Sequence, residues 1–214
     1  MLAAQMLALR REQDRLAEIL PLMQRDDYGA ADIVPWTLPL ALLDADRVDD
    51  ARRAFARAWD LGLDAMPGEN SRNRGLMVLG AMSLTCAGLG DVARAGELYA
   101  RIAPRAGAWA MTSFGNVCFG LLANGAGALA TTLGRWDDAR AHFEQALAEH
   151  ERTGHVVALA RTCQLYATML HARGRRPDRA PLRALIERGR ALAATHDLVR
   201  VARTLARLED RTSR

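Results

Sequence analysis

The chain has 214 residues, half of them apolar and only 5% aromatic, with 29 basic and 25 acidic residues and a net charge of +4. No lysine occurs, which excludes the phosphate-binding loop ending in Gly-Lys-Ser/Thr, Schiff-base catalysis and the lysine-dependent chemistry of protein kinases. A charge this small, spread over the whole chain, does not favour a nucleic-acid partner.

Apolar periodicity and turn residues predict an all-α chain of five helix pairs followed by a closing helix. The predicted pairs are residues 1–12 with 15–26, 32–44 with 47–61, 71–89 with 91–103, 108–133 with 135–152, and 155–173 with 177–194. The closing helix is predicted at residues 197–209. Neither of the best loops, residues 63–71 and 104–108, is long or polar enough for a linker, so we expect a single domain over residues 1–214.

Residues 106–134 carry no charge, a stretch longer than the ~20 residues that span a bilayer. Five glycines between residues 107 and 127 and several polar side chains interrupt it, and aromatic residues do not flank it on both sides. We therefore expect a buried helix and no membrane association. The first nine residues have no positive charge before their apolar run and do not form a signal peptide.

The three cysteines, Cys86, Cys118 and Cys163, lie far apart in apolar surroundings. This placement favours reduced core thiols in a cytoplasmic protein over a disulfide or metal role.

A pattern recurs at a spacing of 44 residues, which is a sign of repeat architecture. Each copy has a turn residue, an apolar residue two positions later, a small residue five positions after the turn, and an aromatic residue four positions further on. The copies are Asp46, Val48, Ala51 and Phe55; Gly90, Val92, Ala95 and Tyr99; and Gly134, Trp136, Ala139 and Phe143. The small residue allows close helix packing, and the turn residue is expected to adopt the left-handed conformation that ends a helix.

The third copy resembles a tetratricopeptide repeat, with matching residues Gly127, Gly134, Trp136, Ala139, Phe143 and Ala146. It departs from that motif at Glu151, which stands where the motif has its closing proline, and in its period of 44 instead of 34 residues. The resemblance implies an α-α superhelix of about five long hairpins.

Residues 36–208, and most specifically 89–174, are also similar to the helical C-terminal region of bacterial LuxR-type regulators and cyclase-linked signalling ATPases. The characteristic segments read LGDVARAGELY, LGRWDDARAHFEQAL and LARTCQLYATML. The resemblance implies a regulatory module, which in those relatives follows a nucleotide-binding domain. The chain is then expected to be a detached sensor array, a fragment, or the product of a mis-started reading frame.

The tetratricopeptide alignment predicts which side chains face a concave groove. The second copy supplies an apolar wall, Met77, Gly80, Leu84, Ala87 and Gly88. The third and fourth copies supply a mostly polar wall with candidate binding residues Asn124, Thr131, Thr132, Arg161, Gln164, Thr168 and His171, beside Leu121, Ala128 and Ala172. Such a groove suits a peptide helix or an amphipathic small molecule. The alternative is that the closing helix of the same chain fills the groove.

Other candidate sites are weaker. His150 and His155 are five residues apart with Gly154 between them, so the zinc-protease spacing fails and surface or capping roles are expected. The segment GLLANGAG at 120–127 follows no predicted strand, which favours close helix packing over a phosphate loop. The arginines between 173 and 190 indicate a solvated helix face, with an acidic or nucleic-acid partner as the alternative.

Three functions follow. The first is a non-catalytic regulatory module that binds a protein, a peptide or a small-molecule effector, with no catalytic residues, metal or cofactor. The second is a small helical enzyme with an apolar pocket formed by Trp109, Phe114, Asn116 and Phe119 and with His171 as base. The third, less favoured, is nucleic-acid binding. Exposed apolar residues in the first hairpin, Met1, Leu2, Met6 and Leu9, also suggest homodimerisation there.

Overall fold

A computed structural model describes residues 2–25, 33–65, 72–111 and 117–212. Over these residues the protein is all-helical except for one small two-stranded sheet. The α-helices are α1 (Leu2–Glu12), α2 (Leu20–Met23), α3 (Val34–Asp44), α4 (Val48–Asp60), α5 (Arg72–Leu89), α6 (Val92–Ile102), α7 (Ala123–Thr132), α8 (Trp136–Thr153), α9 (Val156–Arg173), α10 (Arg179–Thr195) and α11 (Val199–Thr212). The strands are β1 (Trp109–Met111) and β2 (Cys118–Leu121).

The turns that were predicted to end helices do so in the left-handed conformation. Asp46, Gly90 and Gly134 have φ angles of 60°, 66° and 70°. In each turn the next N–H donates to a carbonyl five residues back, with N···O distances of 2.9 Å from Arg47 to Leu42, 3.1 Å from Asp91 to Cys86 and 2.8 Å from Arg135 to Ala130. These are Schellman turns, in which the left-handed residue lets the free carbonyls at the helix end find donors.

The small and aromatic residues of the recurring pattern lie in the core. Ala51, Ala95 and Ala139 have no exposed surface, and Phe55, Tyr99 and Phe143 are buried. Phe143 also lies against Gly127, where an added Cβ would be 2.8 Å from its ring. A glycine on α7 therefore allows α8 to approach, as the pattern predicts.

The contacts between helices show where the interior of the molecule lies. Each of α3, α5, α7 and α9 packs on the helix that follows it, and these four also contact one another in series. The last helix, α11, packs on α9, α10 and α1, so the first and last helices are in contact.

The long helix predicted at residues 108–133 is wrong in its first half. Trp109–Met111 and Cys118–Leu121 pair as an antiparallel hairpin, and the helical part of the described residues in this range is Ala123–Thr132. The segment is rich in aromatic and glycine residues, which disfavour helix, and Gly120 has a φ of 93° that a helix does not accept. A Cβ on Gly120 would lie 2.9 Å from that of Ala158, so the strand can pack closely on α9 only at a glycine.

Two other expectations need correction. The helix predicted at 15–26 is a 3-10 turn at Leu16–Glu18 followed by the four-residue α2, because Pro21 lacks the N–H that would continue the first turn. The cysteine expected in a helical context at position 118 is half-buried in β2, whereas Cys86 and Cys163 are buried in helices. None of the described helices is long and apolar enough to cross a membrane.

The left-handed turns generate a prediction about stability. Gly134→Ala is expected to lower the free energy of unfolding by about 1 kcal/mol, because a Cβ is disfavoured at positive φ even though no atom lies within 4 Å of its position. The matched control is Gly96→Ala, on the exposed face of α6, which is expected to raise that free energy by about 0.5–1 kcal/mol. Urea unfolding followed by circular dichroism measures both, and equal effects would contradict the left-handed geometry.

Candidate internal binding cavity

A partly open cavity of about 290 Å³ lies among α3, α5, α7 and α9. Its walls come from α3, α5, α7, α9 and α11, with α1, α2 and the β-hairpin completing them. Most of the wall is apolar: Leu7, Leu16, Met23, Ile33, Val34, Leu40, Ala41, Leu43, Met77, Ala81, Leu84, Ala110, Phe119, Leu121, Leu122, Leu165 and Val201. The lining includes no residue from α4, α6, α8 or α10 among the parts of the chain that the structure describes.

Glycine residues on α5 leave space in the cavity and allow α5 to pack closely on its neighbouring helices. Gly80 and Gly88 both line it, two turns apart on one face. A Cβ on Gly88 would lie 2.5 Å from a methyl of Leu43, and one on Gly80 would lie 3.2 Å from a methyl of Leu122. Larger residues would therefore push α5 away from α3 and from the start of α7.

The polar part of the cavity wall is centred on the carboxylate of Asp44, the last residue of α3. Arg11 of α1 donates through Nε to Asp44 Oδ2, and Arg200 of α11 donates to Asp44 Oδ1 and to its carbonyl oxygen. Asp44 is only 3% exposed, so one buried carboxylate holds two guanidinium groups from opposite ends of the chain.

A third guanidinium, that of Arg161 on α9, lines the same cavity and forms an ion pair with Glu12 of α1. Burial lowers the pKa of Arg161 well below its usual value, and the neighbouring charges of Arg11 and Arg200 lower it further. Both carboxylate oxygens of Glu12 are buried beside this guanidinium.

A chain of buried hydrogen bonds runs from the β-hairpin to the cavity. The backbone N–H of Leu121 donates to His150 Nε2 at 3.0 Å, so the imidazole proton is on Nδ1, which lies 3.0 Å from Thr162 Oγ1. The Thr162 hydroxyl lies 2.9 Å from Asn124 Oδ1 and 2.9 Å from the carbonyl of Ala158, which share its proton. Burial, with a smaller contribution from the His155 charge, lowers the pKa of His150 to about 4.

The predicted groove residues divide into two groups. Asn124, Arg161 and Gln164 line the cavity, together with Leu121 and with Met77, Gly80, Leu84 and Gly88 of the second copy. The remaining predicted residues, Thr131, Thr132, Thr168, His171, Ala87, Ala128 and Ala172, are not among its lining. The hydroxyls of Thr131, Thr132 and Thr168 instead donate to carbonyls four residues back in their own helices.

Four charged residues of this cluster were not identified from the sequence: Arg11, Glu12, Asp44 and Arg200. They come from α1, α3 and α11, and Asp44 and Arg200 are 156 residues apart. No local spacing joins them. The one available signal was the alternative in which the closing helix covers the groove, because that arrangement brings α11 to this wall.

The histidines that were considered as metal ligands have separate structural roles. His155 caps α9 by accepting the N–H of Ala158 at its Nδ1, as expected. His150, for which a surface or capping role was expected, is fully buried because the β-hairpin covers it, and Trp109 packs edge-on against its ring. The described residues contain no group of three or more side chains arranged to hold a metal ion.

Several arginines between 173 and 190 are paired with acids. Arg188 contacts Glu151, Arg190 contacts Glu209, and Arg173 lies 3.7 Å from the buried Asp178. The exposed pairs of Arg188 and Arg190 support a solvated, internally paired helix face, whereas the side chains of Arg173 and Asp178 are largely buried.

The buried position of Asp44 predicts a large effect of its charge on stability. Asp44→Asn is expected to lower the free energy of unfolding by about 3–5 kcal/mol, because it leaves two buried guanidiniums without their shared counter-charge. The matched control is Asp46→Asn, two residues away and half exposed, where asparagine tolerates the left-handed turn and a change below about 1 kcal/mol is expected. Urea denaturation measures both, and similar losses would show that Asp44 does not anchor the cluster.

The neutral state of His150 predicts how stability depends on pH. Its folded-state pKa of about 4 lies below the ordinary 6.5, so its contribution is complete above pH 6.5 and is lost as pH falls toward 4, where the unfolded chain binds the proton first. His150→Gln is expected to cost about 1–3 kcal/mol at pH 7 through lost hydrogen bonds and to flatten this part of the profile. The exposed His196→Gln is the control, and an unchanged slope in His150→Gln would contradict the assignment.

The chain matches no protein-family model, no curated protein and no solved structure. The resemblance to tetratricopeptide-containing regulators therefore stays a prediction, and the cavity and the charged cluster in its wall are the features from which a function can be inferred.

Proposed function

We propose that the protein is a non-catalytic effector-binding module that encloses a small amphipathic molecule within a tetratricopeptide-like helical array. The observation that carries this proposal is the internal cavity, with apolar residues over most of its wall and arginines on one part of it. Ligand sites in proteins have this composition, an apolar enclosure with a few polar groups that orient the ligand.

The array itself is an interpretation supported by the alternation of helices. Every second helix from α3 to α9 faces the cavity, and the helices between them do not contribute to its lining. In an α-α superhelix of about five hairpins, the first helix of each hairpin forms the concave surface, and the identical turns at 44-residue spacing are what such a repeat requires.

The first and last helices favour a small molecule over a peptide helix as the occupant, because both lie in the cavity wall. Arg11 and Leu7 of α1 and Arg200 and Val201 of α11 close the wall, so a peptide would first have to displace one of these helices. The closing helix contributes Arg200 and Val201 to the cavity wall, and whether it fills a superhelical groove stays a prediction.

A small helical enzyme remains the alternative, with less support from the geometry. Of its proposed pocket residues, Phe119 lines the cavity, whereas Trp109 stacks on His155 with ring centroids 5.9 Å apart. Phe114 and Asn116 lie outside the described residues. His171, the proposed base, is not among the cavity lining.

Regulation would require that the bound molecule changes how the module contacts other proteins. Both α1 and α11 supply cavity wall and exposed surface, so they are the elements through which occupancy would be transmitted. In the first hairpin, Leu9 and Leu22 are about half exposed, at 49% and 48%, which keeps homodimerisation through it a prediction. Met1 lies outside the described residues, and a protein partner and a cytoplasmic location likewise stay predictions.

Filling the cavity tests the proposal. Leu84→Trp, on the α5 wall, is expected to reduce the binding of the neutral solvatochromic dye prodan at least tenfold, because the indole would occupy the space that the dye needs. Leu61→Trp adds the same side chain at a position that is 55% exposed and is expected to leave binding unchanged. Dye fluorescence titration provides the affinities. Failure of the parent protein to bind, or an equal effect of both variants, would refute an internal ligand site.

A further inference from the structure

Among the described residues, the charged side chains that line the cavity or pair with its lining do not balance. Arg11, Arg161 and Arg200 contribute three positive charges, and Asp44 and Glu12 contribute two negative charges. This cluster of side chains, each less than a fifth exposed, therefore has an excess of one positive charge.

The depth of the cluster makes this excess significant. The side chains of Arg161 and Arg200 are 13% and 17% exposed, and that of Asp44 is 4% exposed. A charge removed from water is costly unless a nearby opposite charge and hydrogen bonds replace its hydration. Since the surface ion pairs of the protein are screened and this cluster is not, the cavity retains a positive potential that favours an anion.

Arg161 is the guanidinium best placed to receive such an anion. Arg11 and Arg200 both bind the carboxylate of Asp44, whereas Arg161 does not, and its acidic partner among the described residues is Glu12. Gln164 lies three residues further along α9 on the same face and also lines the cavity. A guanidinium and a carboxamide one turn apart can together donate hydrogen bonds to the oxygens of one acidic group.

We infer that the ligand of this cavity is a small organic monoanion, with an apolar body against α3 and α5 and one acidic head group held by Arg161 and Gln164. This inference rests on the proposed function and specifies its ligand class. One negative charge matches the excess of one positive charge among the described residues of the cluster, and the apolar lining residues of α3 and α5 offer contacts to an acyl chain or an aromatic ring. A cationic amine would add a second uncompensated charge, and an alcohol would leave the excess in place.

The test compares head groups on identical bodies by displacement of prodan from the parent protein. One set is octanoate, octanol and octylamine, and the other is 4-phenylbutanoate, 4-phenylbutanol and 4-phenylbutylamine. In both sets the acid is expected to bind at least tenfold more tightly than the alcohol and to bind more tightly than the amine.

Two substitutions with opposite expected effects on the affinity for the acid distinguish recognition of its charge from a general effect on the structure. Arg161→Gln removes the head-group contact and is expected to abolish the preference for the acid. Glu12→Gln removes the competing carboxylate and is expected to raise the affinity for the acid several-fold while leaving that for the alcohol unchanged. The control Glu151→Gln makes the same charge change at a surface pair on α8 and is expected to have no effect. Circular dichroism establishes that each variant is folded.

The outcomes are distinct for the two proposals. If prodan binds in the cavity but the acids bind no better than the alcohols, or if neither acid displaces the dye, the anionic ligand is refuted and the effector module stands. Weaker acid binding by Glu12→Gln would likewise overturn the inference. If prodan does not bind the parent protein at all, the proposed function itself fails.

Discussion

The carboxylate of Asp44 accepts hydrogen bonds from Arg11 near the start of the chain and from Arg200 near its end. An open helical array would leave its first and last helices far apart, but here both reach the same buried acid at the end of α3. The cavity depends on this contact, because α1 and α11 close the wall that the inner helices leave open. By binding both helices, the Asp44 carboxylate holds α1 and α11 in the cavity wall, where Arg11 and Arg200 give that side a positive charge.

Much of the helical framework could be predicted from the sequence because its determinants are local. The sequence repeats a turn residue, then a small residue five positions later, then an aromatic residue four positions after that. Asp46, Gly90 and Gly134, the turn residues of this pattern, adopt the expected left-handed conformation. The β-hairpin was missed because its stability is not local. It depends on His150 and Ala158, which lie about 30 or more residues further along the chain and pack against Gly120 and Leu121.

The cavity could be predicted only in part for the same reason. Arg161, Gln164 and Asn124 follow from the position of each residue within a repeat, and they line the cavity. Thr131, Thr132, Thr168 and His171 occupy equivalent repeat positions nearer the ends of their helices but are not part of its wall, since the enclosure is limited by α1, α11 and the hairpin. The partners of Arg161 come from α1, and no pattern within α9 indicates which charge it will meet.

The hydrogen-bond chain that starts at Leu121 also has a direction. Its first donor is a backbone N–H, so His150 must accept at Nε2 and donate at Nδ1, and the Thr162 hydroxyl is directed on toward Asn124 Oδ1. With that oxygen placed toward Thr162, the two N–H donors of the Asn124 amide are on the opposite side of the carboxamide. The orientation of the Asn124 amide therefore depends on the position of β2, because Leu121 of that strand donates its N–H to His150, 29 residues further along the chain.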